Sequence, residues 1–244
     1  MITATYLKHM GDDLDVVNAA RVSFNKTSKW GSKSQRQFGV YYPDGHAETD
    51  KLSDKDTKLI GYLAKHKHMS PFGHCFASFH VKAPIFVARQ LVKHKFLRWN
   101  EVSRRYVDDE PEFYVPDAWR GRSADKKQGS SEETITTLHW MELGRDRHEK
   151  LKTYVHVVEI EALQLYARMI DDGVAPEQAR MVLPQSTMTE WWWSGSLDAF
   201  ADMCNLRCKP DTQYETRLVA DQISDKMREL FPVSWQALTG LLTP

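Results

Sequence analysis

Residues 74–96 restrict the fold more than any other segment of this chain. Residues 74–83 alternate in character, which predicts a β-strand with one buried face. The face predicted to be buried carries Cys75, Ala77, Phe79 and Val81. Pro84 follows at once and suits the first turn of a helix, and residues 85–96 are apolar enough for a largely buried one. A strand that leads directly into a buried helix favours a fold in which helices pack on a sheet.

Helices and strands are predicted along the whole chain without strict alternation, which favours an α+β fold. Further strands are predicted at 2–7 and 187–193, a turn at 100–106 and a polar loop at 26–50. The predicted helices are 12–22 with Asp13 as a cap, 53–65 with Ser53 as a cap, 135–172, a short one from 175, 197–206 and 213–230. We expect a single domain over residues 1–244, with a mixed sheet and a flexible excursion at about 117–134.

Composition excludes several classes of protein. The 33 Lys and Arg balance 33 Asp and Glu, so the chain does not coat nucleic acid through bulk charge. Three cysteines are too few for a disulfide scaffold, and no basic segment followed by an apolar stretch begins the chain. Apolar runs fall far short of the roughly 18 residues that a membrane span needs. We therefore expect a soluble cytoplasmic protein with no membrane or nucleic-acid partner.

A basic cluster stands out in this neutral chain between Arg89 and Arg105. It contains one acid, Glu101, and six cations: Arg89, Lys93, Lys95, Arg98, Arg104 and Arg105. If 85–96 is helical, Gln90, Lys93 and His94 share a face. A solvated basic surface is the simple interpretation. However, Asn100, Glu101 and Ser103 are better suited to fixing a ligand, and the mixture of donors favours a phosphate site.

These residues resemble the flavin-dependent thymidylate synthases. The family motif RHRxxSxNExSxR is similar to Lys93-His94-Lys95-Phe-Leu-Arg98-Trp-Asn100-Glu101-Val-Ser103-Arg104-Arg105. Matching segments occur at His68–His74, at Val81–Gln90, at Arg180–Pro184 and at Asn205–Arg207. The resemblance covers the chain from about Asn18 to Glu215.

The resemblance implies roles for individual residues. The residues that would hold dUMP are Gln90, Lys93, Glu101, Ser103, Arg104, Arg105, Arg180 and Arg207, with Arg105 at the phosphate. Arg180 would come from a neighbouring chain, because the family builds its sites at subunit interfaces of a homotetramer. Arg207 would lie against the uracil ring as the catalytic residue and stabilise the negative charge that develops there. The residues that would contact FAD are Ser70, Lys93, His94, Lys95 and Asn100.

The implied reaction is the reductive methylation of dUMP to dTMP. Methylenetetrahydrofolate would supply the carbon, NADPH would reduce the flavin, and FAD would deliver hydride. Two alternatives remain at this point: a related hydroxymethylase acting at pyrimidine C5, and a nucleotide- or nucleic-acid-binding module without catalysis.

The chain also departs from the family pattern. Lys93 and Lys95 replace arginines, which keeps the charge but loses the bidentate fork, and Arg98 replaces a small hydroxyl residue. Near the flavin phosphates the family tends to have Asn-x-Arg and then Asn. Here the corresponding residues are Ser196, Asp198 and Asp202. Two carboxylates would repel a pyrophosphate by roughly 1–4 kcal/mol per close pair, unless backbone N–H groups after Ser196 bind it.

Other patterns have simpler explanations. His68, His74 and His80 are spaced by six, but no further ligand completes a recognisable set, so we predict no metal site. Cys204 is expected in the core. Trp191 and Trp193 would share one face of a strand and pack in the core, with Trp192 on the other face.

Overall fold

A computed structural model describes residues 1–30, 51–106, 109–124, 129–142 and 145–240, without the side chains of 141, 142 and 145. Most of the polar loop predicted at 26–50 lies outside these residues. Among the residues described, no helix is both long and apolar enough to cross a bilayer.

The elements follow one another in chain order. The first half contains β1 (Thr3–Met10), α1 (Asp13–Arg21), α2 (Asp54–Lys65), β2 (Phe76–Pro84), α3 (Ile85–Leu91) and β3 (Leu97–Glu101). The second half contains β4 (Arg120–Arg122), β5 (Ser130–Thr134), β6 (Thr137–Glu142), β7 (Arg145–Lys150), α4 (Leu151–Asp171), α5 (Pro176–Ala179), β8 (Met188–Ser196), α6 (Leu197–Arg207), α7 (Tyr214–Leu230) and α8 (Pro232–Thr239). Helices and strands mix as an α+β fold requires.

The central sheet has the strand order β1-β2-β8-β3. The prediction of a mixed sheet is wrong, because every strand pair of this sheet is antiparallel. Phe79 pairs with Trp193 and Lys82 with Glu190 across β2 and β8. The register therefore brings distant parts of the sequence to the same end of the sheet.

The sheet buries one face against the C-terminal helices. Trp191 and Trp193 are buried and Trp192 is 47% exposed, which confirms the predicted alternation. Phe200 of α6 contacts the rings of Phe79 and Trp193 at centroid distances of 5.4 and 5.7 Å. Cys204 is buried in the same core, as predicted.

Helix caps agree with the sequence in one case and correct it in another. Ser53 accepts a hydrogen bond from the backbone N–H of Asp56, which confirms it as the cap of α2. The cap of α1 is Asp12, which forms a capping box with Asp15, and not Asp13. Asp13 instead accepts from the backbone N–H groups of Val233 and Ser234 at 2.8 and 2.9 Å, because its buried carboxylate faces the start of α8.

Three predicted segments differ from the structure. The predicted helix at 135–172 begins only at Leu151, because residues 137–142 and 145–150 form the paired strands β6 and β7. The excursion predicted at 117–134 contains the paired strands β4 and β5. The helix predicted to reach residue 96 ends at Leu91, and Phe96 adopts a left-handed backbone with φ 66° as the chain turns into β3.

Residues 97–101 form a strand where the sequence analysis predicted a turn from residue 100. The physical reason is the side chain of Trp99, which stacks on Trp191 with a centroid distance of 4.3 Å and an interplanar angle of 18°. Trp99 also contacts Trp193 edge-on at 5.7 Å. Aromatic contacts between neighbouring strands stabilise a sheet, so Asn100 and Glu101 extend β3.

Candidate functional site

Arg207 is the centre of a hydrogen-bonded group at the end of α6. Its Nε donates to Nε2 of His94 at 3.0 Å, and an η nitrogen donates to the backbone oxygen of Gln90 at 3.4 Å. The side chain of Gln90 accepts from the hydroxyl of Thr216 at 3.1 Å and also contacts Gln213. Three residues that the sequence analysis assigned to the site, Gln90, His94 and Arg207, are therefore in direct contact.

The protonation of this group follows from burial. Burial lowers the pKa of His94 to about 4, and the positive charge of Arg207 adds to the effect. Burial also lowers the pKa of Arg207, a group that stays protonated in proteins. His94 is thus a neutral acceptor, and it restricts the direction in which the Arg207 guanidinium points.

A second group of predicted residues lines a cavity of about 440 Å³ at the end of the sheet where β8 begins. The cavity contains Glu101, Arg104 and Arg180 of the predicted site. It also contains Lys82, Glu112, Glu190 and Thr189, to which the sequence analysis gave no role. These residues come from β2, β3, β8 and the chain after β3, which the sheet register brings together, and Arg180 comes from the turn after α5.

Glu101 is a cavity carboxylate that two hydrogen bonds hold in place. It accepts from the Thr189 hydroxyl at 2.8 Å and from the indole nitrogen of Trp99 at 3.0 Å. A carboxylate fixed in this way can accept a further hydrogen bond from a ligand hydroxyl or amide.

Two guanidinium groups of the cavity remain available to an anion. Among the described residues, Arg104 donates to the backbone oxygen of Asp109 and Arg180 to that of Glu177 at 3.2 Å, and neither pairs with a carboxylate. By contrast, Lys82 is neutralised by Glu112 at 2.5 Å, a contact that raises the pKa of its ammonium. Arg104 and Arg180 are therefore the cations that can bind a phosphate here.

The remaining members of the predicted dUMP set lie elsewhere in the chain. Ser103 accepts from Nε of Arg105 at 3.2 Å, and Arg105 lies over the ring of Tyr106 at 5.0 Å. Lys93 is exposed. Within one chain, the structure brings the predicted dUMP residues into two groups and does not join Lys93 or Arg105 to either.

The predicted flavin residues are spread over several surface segments. Ser70, Lys93, Lys95 and Asn100 are all exposed. Ser196 precedes α6 without capping it through its side chain, and the N–H of Leu197 is already bonded to the oxygen of Cys75 at 2.8 Å. One of the backbone donors expected to bind the pyrophosphate is therefore occupied.

The two acids of α6 lie close enough to influence each other. Burial raises the pKa of Asp202, and the negative charge of Asp198 raises it further, although Lys67 opposes this. Among the described residues, Oδ1 of Asp198 is buried without a hydrogen-bond partner. An acceptor without a donor suits a ligand hydroxyl and not a phosphate oxygen.

Several residues of the site were missed because their partners are far away in sequence. Thr216 contacts Gln90, which is 126 positions earlier. Glu112 and Glu190 meet Lys82 only through the sheet register. One signal was present for Lys82: alternation places it on the opposite face of β2 from the buried Val81 and Ala83.

The fold places helices on an antiparallel sheet. Its cavity offers two available guanidinium groups, and a neutral imidazole aligns a third guanidinium at the end of α6, so the chemistry suits a small anionic ligand. Comparison with known proteins identifies the family. The chain belongs to the family described as thymidylate synthase complementing protein, whose sequence model matches residues 5–233.

Curated relatives cover nearly the whole chain. A flavin-dependent thymidylate synthase of Thermus thermophilus is 35% identical over 253 residues, which cover 96% of this chain and 81% of the relative. The protein of the same name from Kosmotoga olearia is 34% identical over 228 residues, covering 93% of this chain and 86% of the relative.

Two solved structures of a methylase are also similar to this chain. The UMP/dUMP methylase PolB from Streptomyces cacaoi, bound with 5-Br dUMP, has a TM-score of 0.73 and 29% identity, covering 99% of this chain and 96% of that chain. Its structure with 5-Br UMP has a TM-score of 0.72 and 28% identity, covering 98% and 94%.

Proposed function

We propose that this protein methylates dUMP at C5 of the uracil ring to give dTMP. The observation that carries the proposal is the Arg207 group, because a guanidinium held by His94 and Gln90 is fixed before substrate arrives. A fixed cation stabilises the negative charge that develops on the ring in the transition state, and no reorganisation is needed during the reaction. The family and its curated relatives support the same reaction.

The cavity residues bind and orient the nucleotide in this proposal. Arg104 and Arg180 bind the phosphate, because their charges have no carboxylate partner among the described residues. Glu101 accepts from a hydroxyl or N–H of the nucleotide. Lys93 and Arg105, which lie outside both groups in the single chain, complete the site from a neighbouring chain. Ser103 supports Arg105 by accepting a hydrogen bond from its Nε.

We propose FAD as the bound cofactor, with NADPH and methylenetetrahydrofolate as co-substrates. Lys93, Lys95 and Ser70 fit an anionic cofactor because they are exposed donors. Asp198 fits a cofactor hydroxyl, since its buried Oδ1 lacks a donor among the described residues, and Asp202 is not expected to bind a phosphate. When bound, the flavin would supply the hydride that the reaction requires.

Self-association into a homotetramer is part of the proposal. The helix α4 exposes Tyr154, Val158 and Leu165 by 43%, 42% and 49% of their surfaces, and their spacing places them on one side of the helix. Such a stripe is typical of an interaction surface. The three free cysteines are consistent with the reducing cytoplasm, where we place the enzyme.

The decisive experiment is an assay of the purified protein with dUMP, methylenetetrahydrofolate and NADPH, with product identified by mass. We expect dTMP only when all components are present, and an absorbance spectrum typical of a flavin. Arg207→Ala should reduce kcat by about 100-fold or more, the typical cost of losing one charge-stabilising donor. Arg217→Ala is the matched control, because Arg217 also donates to a backbone oxygen, at 3.1 Å, but outside the Arg207 group.

Three results would contradict the proposal. Full activity in Arg207→Ala would remove its catalytic role. A hydroxymethylated product, or salt-sensitive oligonucleotide binding without turnover, would favour the alternatives drawn from the sequence.

A second candidate substrate is UMP. The solved structures similar to this chain are of a UMP/dUMP methylase, with one analogue of each nucleotide bound. Comparing kcat/KM for UMP and dUMP tests this candidate: ratios within tenfold would make the protein a methylase of both nucleotides, and a larger preference for dUMP would exclude the second substrate.

A further inference from the structure

The hairpin β6–β7 carries three potential metal ligands on one face. His139 lies directly opposite His148 in the register of the two strands. Asp146 is two residues before His148 and therefore points to the same face, since side chains alternate along a strand. All three side chains are exposed, and none belongs to the predicted nucleotide or flavin residues.

The three side chains already converge. The rings of His139 and His148 have a centroid distance of 4.4 Å and an interplanar angle of 84°. Nε2 of His148 lies 3.1 Å from Oδ2 of Asp146. The ligand atoms of all three residues lie within 4.8 Å of one another. Bonds of about 2.0–2.1 Å in a tetrahedral site require ligand separations of roughly 3.3 Å, which small changes of exposed side-chain rotamers can provide.

The other face of the hairpin is used for packing. Trp140 contacts the ring of Tyr154 in α4 at 5.4 Å, and the guanidinium of Arg147 lies over Trp140 at 5.3 Å. The N–H of Leu151, at the start of α4, also bonds to the oxygen of Thr136 at 2.9 Å. These contacts anchor the two strands to α4, so the face with the histidines is positioned without a ligand and remains open to solvent.

We propose that His139, Asp146 and His148 bind one borderline divalent transition-metal ion of the Zn²⁺ class. Imidazole nitrogen is a preferred ligand of zinc, nickel and copper, whereas magnesium and calcium prefer oxygen ligands only. Three protein ligands leave one tetrahedral position for water. The ion replaces the contact between His148 and Asp146 and links the two strands across their register.

The experiment is calorimetric titration of the full, tag-free protein with Zn²⁺. We expect one ion per chain, with affinity reduced at least tenfold in His139→Ala and in His148→Ala, because even indirect partners of a metal site change affinity by about 10–100-fold. Asp146→Asn should weaken binding less than either histidine variant. The matched control is His156→Ala, which removes an exposed imidazole of α4 outside the group and should bind zinc as the original chain does.

The result of the zinc titration is independent of the thymidylate assay, because the three variants of the hairpin should keep the methylation activity of the original chain. Absence of saturable zinc binding to the original protein, or unchanged affinity in His139→Ala and His148→Ala, would overturn the proposal. A second measurement needs no variant: Ni²⁺ should broaden the NMR signals of the His139 and His148 rings before those of other histidines. Broadening of all histidines at the same concentration would also overturn the proposal.

Discussion

The hydrogen bond between Nε of Arg207 and Nε2 of His94 exists only while the imidazole is neutral, because a guanidinium can donate but not accept. The low pKa of His94, about 4, ensures this at neutral pH. At the scale of single residues, the candidate site therefore depends on a histidine that does not take up a proton. Its role differs from that of a histidine acting as a general acid.

Removing Arg207 should raise the pKa of His94. Arg207→Ala opens the buried surroundings of the imidazole and removes a neighbouring positive charge, the two causes of the low value. NMR titration of the ring protons measures the shift directly. Arg217→Ala should leave the His94 pKa at about 4, and an unchanged value in Arg207→Ala would show that burial by other groups is sufficient.

His94 should also make the stability of the fold depend on pH. Its pKa is about 4 in the folded chain and 6.5 for a free imidazole, so between these values the unfolded chain binds a proton that the folded chain excludes. The stability that the neutral form contributes is complete above pH 6.5 and is lost as the pH falls towards 4. Urea unfolding at several pH values should show this decline in the original chain and a smaller one in His94→Gln. Parallel curves for the two proteins would contradict the assignment.

At the scale of elements, β3 and β8 approach each other closely at Gly195, which pairs with Leu97. A Cβ atom at Gly195 would lie 3.2 Å from the backbone oxygen of Phe96 and would collide with the Leu97 side chain. Gly195→Ala should therefore destabilise the protein by about 1–3 kcal/mol, as overpacking generally does. Denaturant unfolding measures the change.

Gly61 is the matched control, because nothing lies within 4 Å of a Cβ built there in α2. Gly61→Ala should stabilise the protein by about 0.5–1 kcal/mol through the helix preference of alanine. A neutral Gly195→Ala would mean that β3 can move away from β8 without cost.

Sequence patterns identified most elements whose apolar spacing is long and regular. They gave the wrong element where one stretch fits both the spacing of a helix and the composition of a strand. Ile135, Leu138 and Met141 are spaced by three and extend the helical pattern of α4 backwards. Residues 134–137 are all β-branched, which favours a strand, and residues 137–142 form β6. The choice between helix and hairpin was made by cross-strand partners that a local pattern does not contain.

Residue types in the candidate site were more predictable than its contacts. The sequence identified Gln90, His94 and Arg207, which the structure joins. It did not identify Thr216, because the contact with Gln90 depends on how α7 packs against α3. Hydrogen bonds between elements depend on how those elements pack, and packing joins residues that are far apart in the sequence.

At the scale of the whole molecule, the proposed tetramer can be tested by mixing inactive chains. If Arg105 and Arg180 serve different subunits of one site, then Arg105→Ala and Arg180→Ala should each lose most activity alone. Unfolding both variants together and refolding them should restore part of the activity, since mixed assemblies contain some sites with both arginines.

The control for that experiment is refolding each variant separately, which should restore nothing. Failure of the mixture to exceed the separate variants would place both arginines in the site of one chain. Size-exclusion chromatography with light scattering confirms in each case that assembly has occurred.

The carboxylate of Asp13 holds the first turn of α8, some 220 positions later in the chain. A ribosome builds the chain from its amino end, so this buried acid emerges long before Val233 and Ser234 exist. Until these two residues are made, the Asp13 carboxylate in α1 lacks its hydrogen-bond donors, and the core beside it lacks Trp235. Nascent chains of this protein should therefore stay sensitive to proteases until α8 has left the exit tunnel, and only then close into a resistant form.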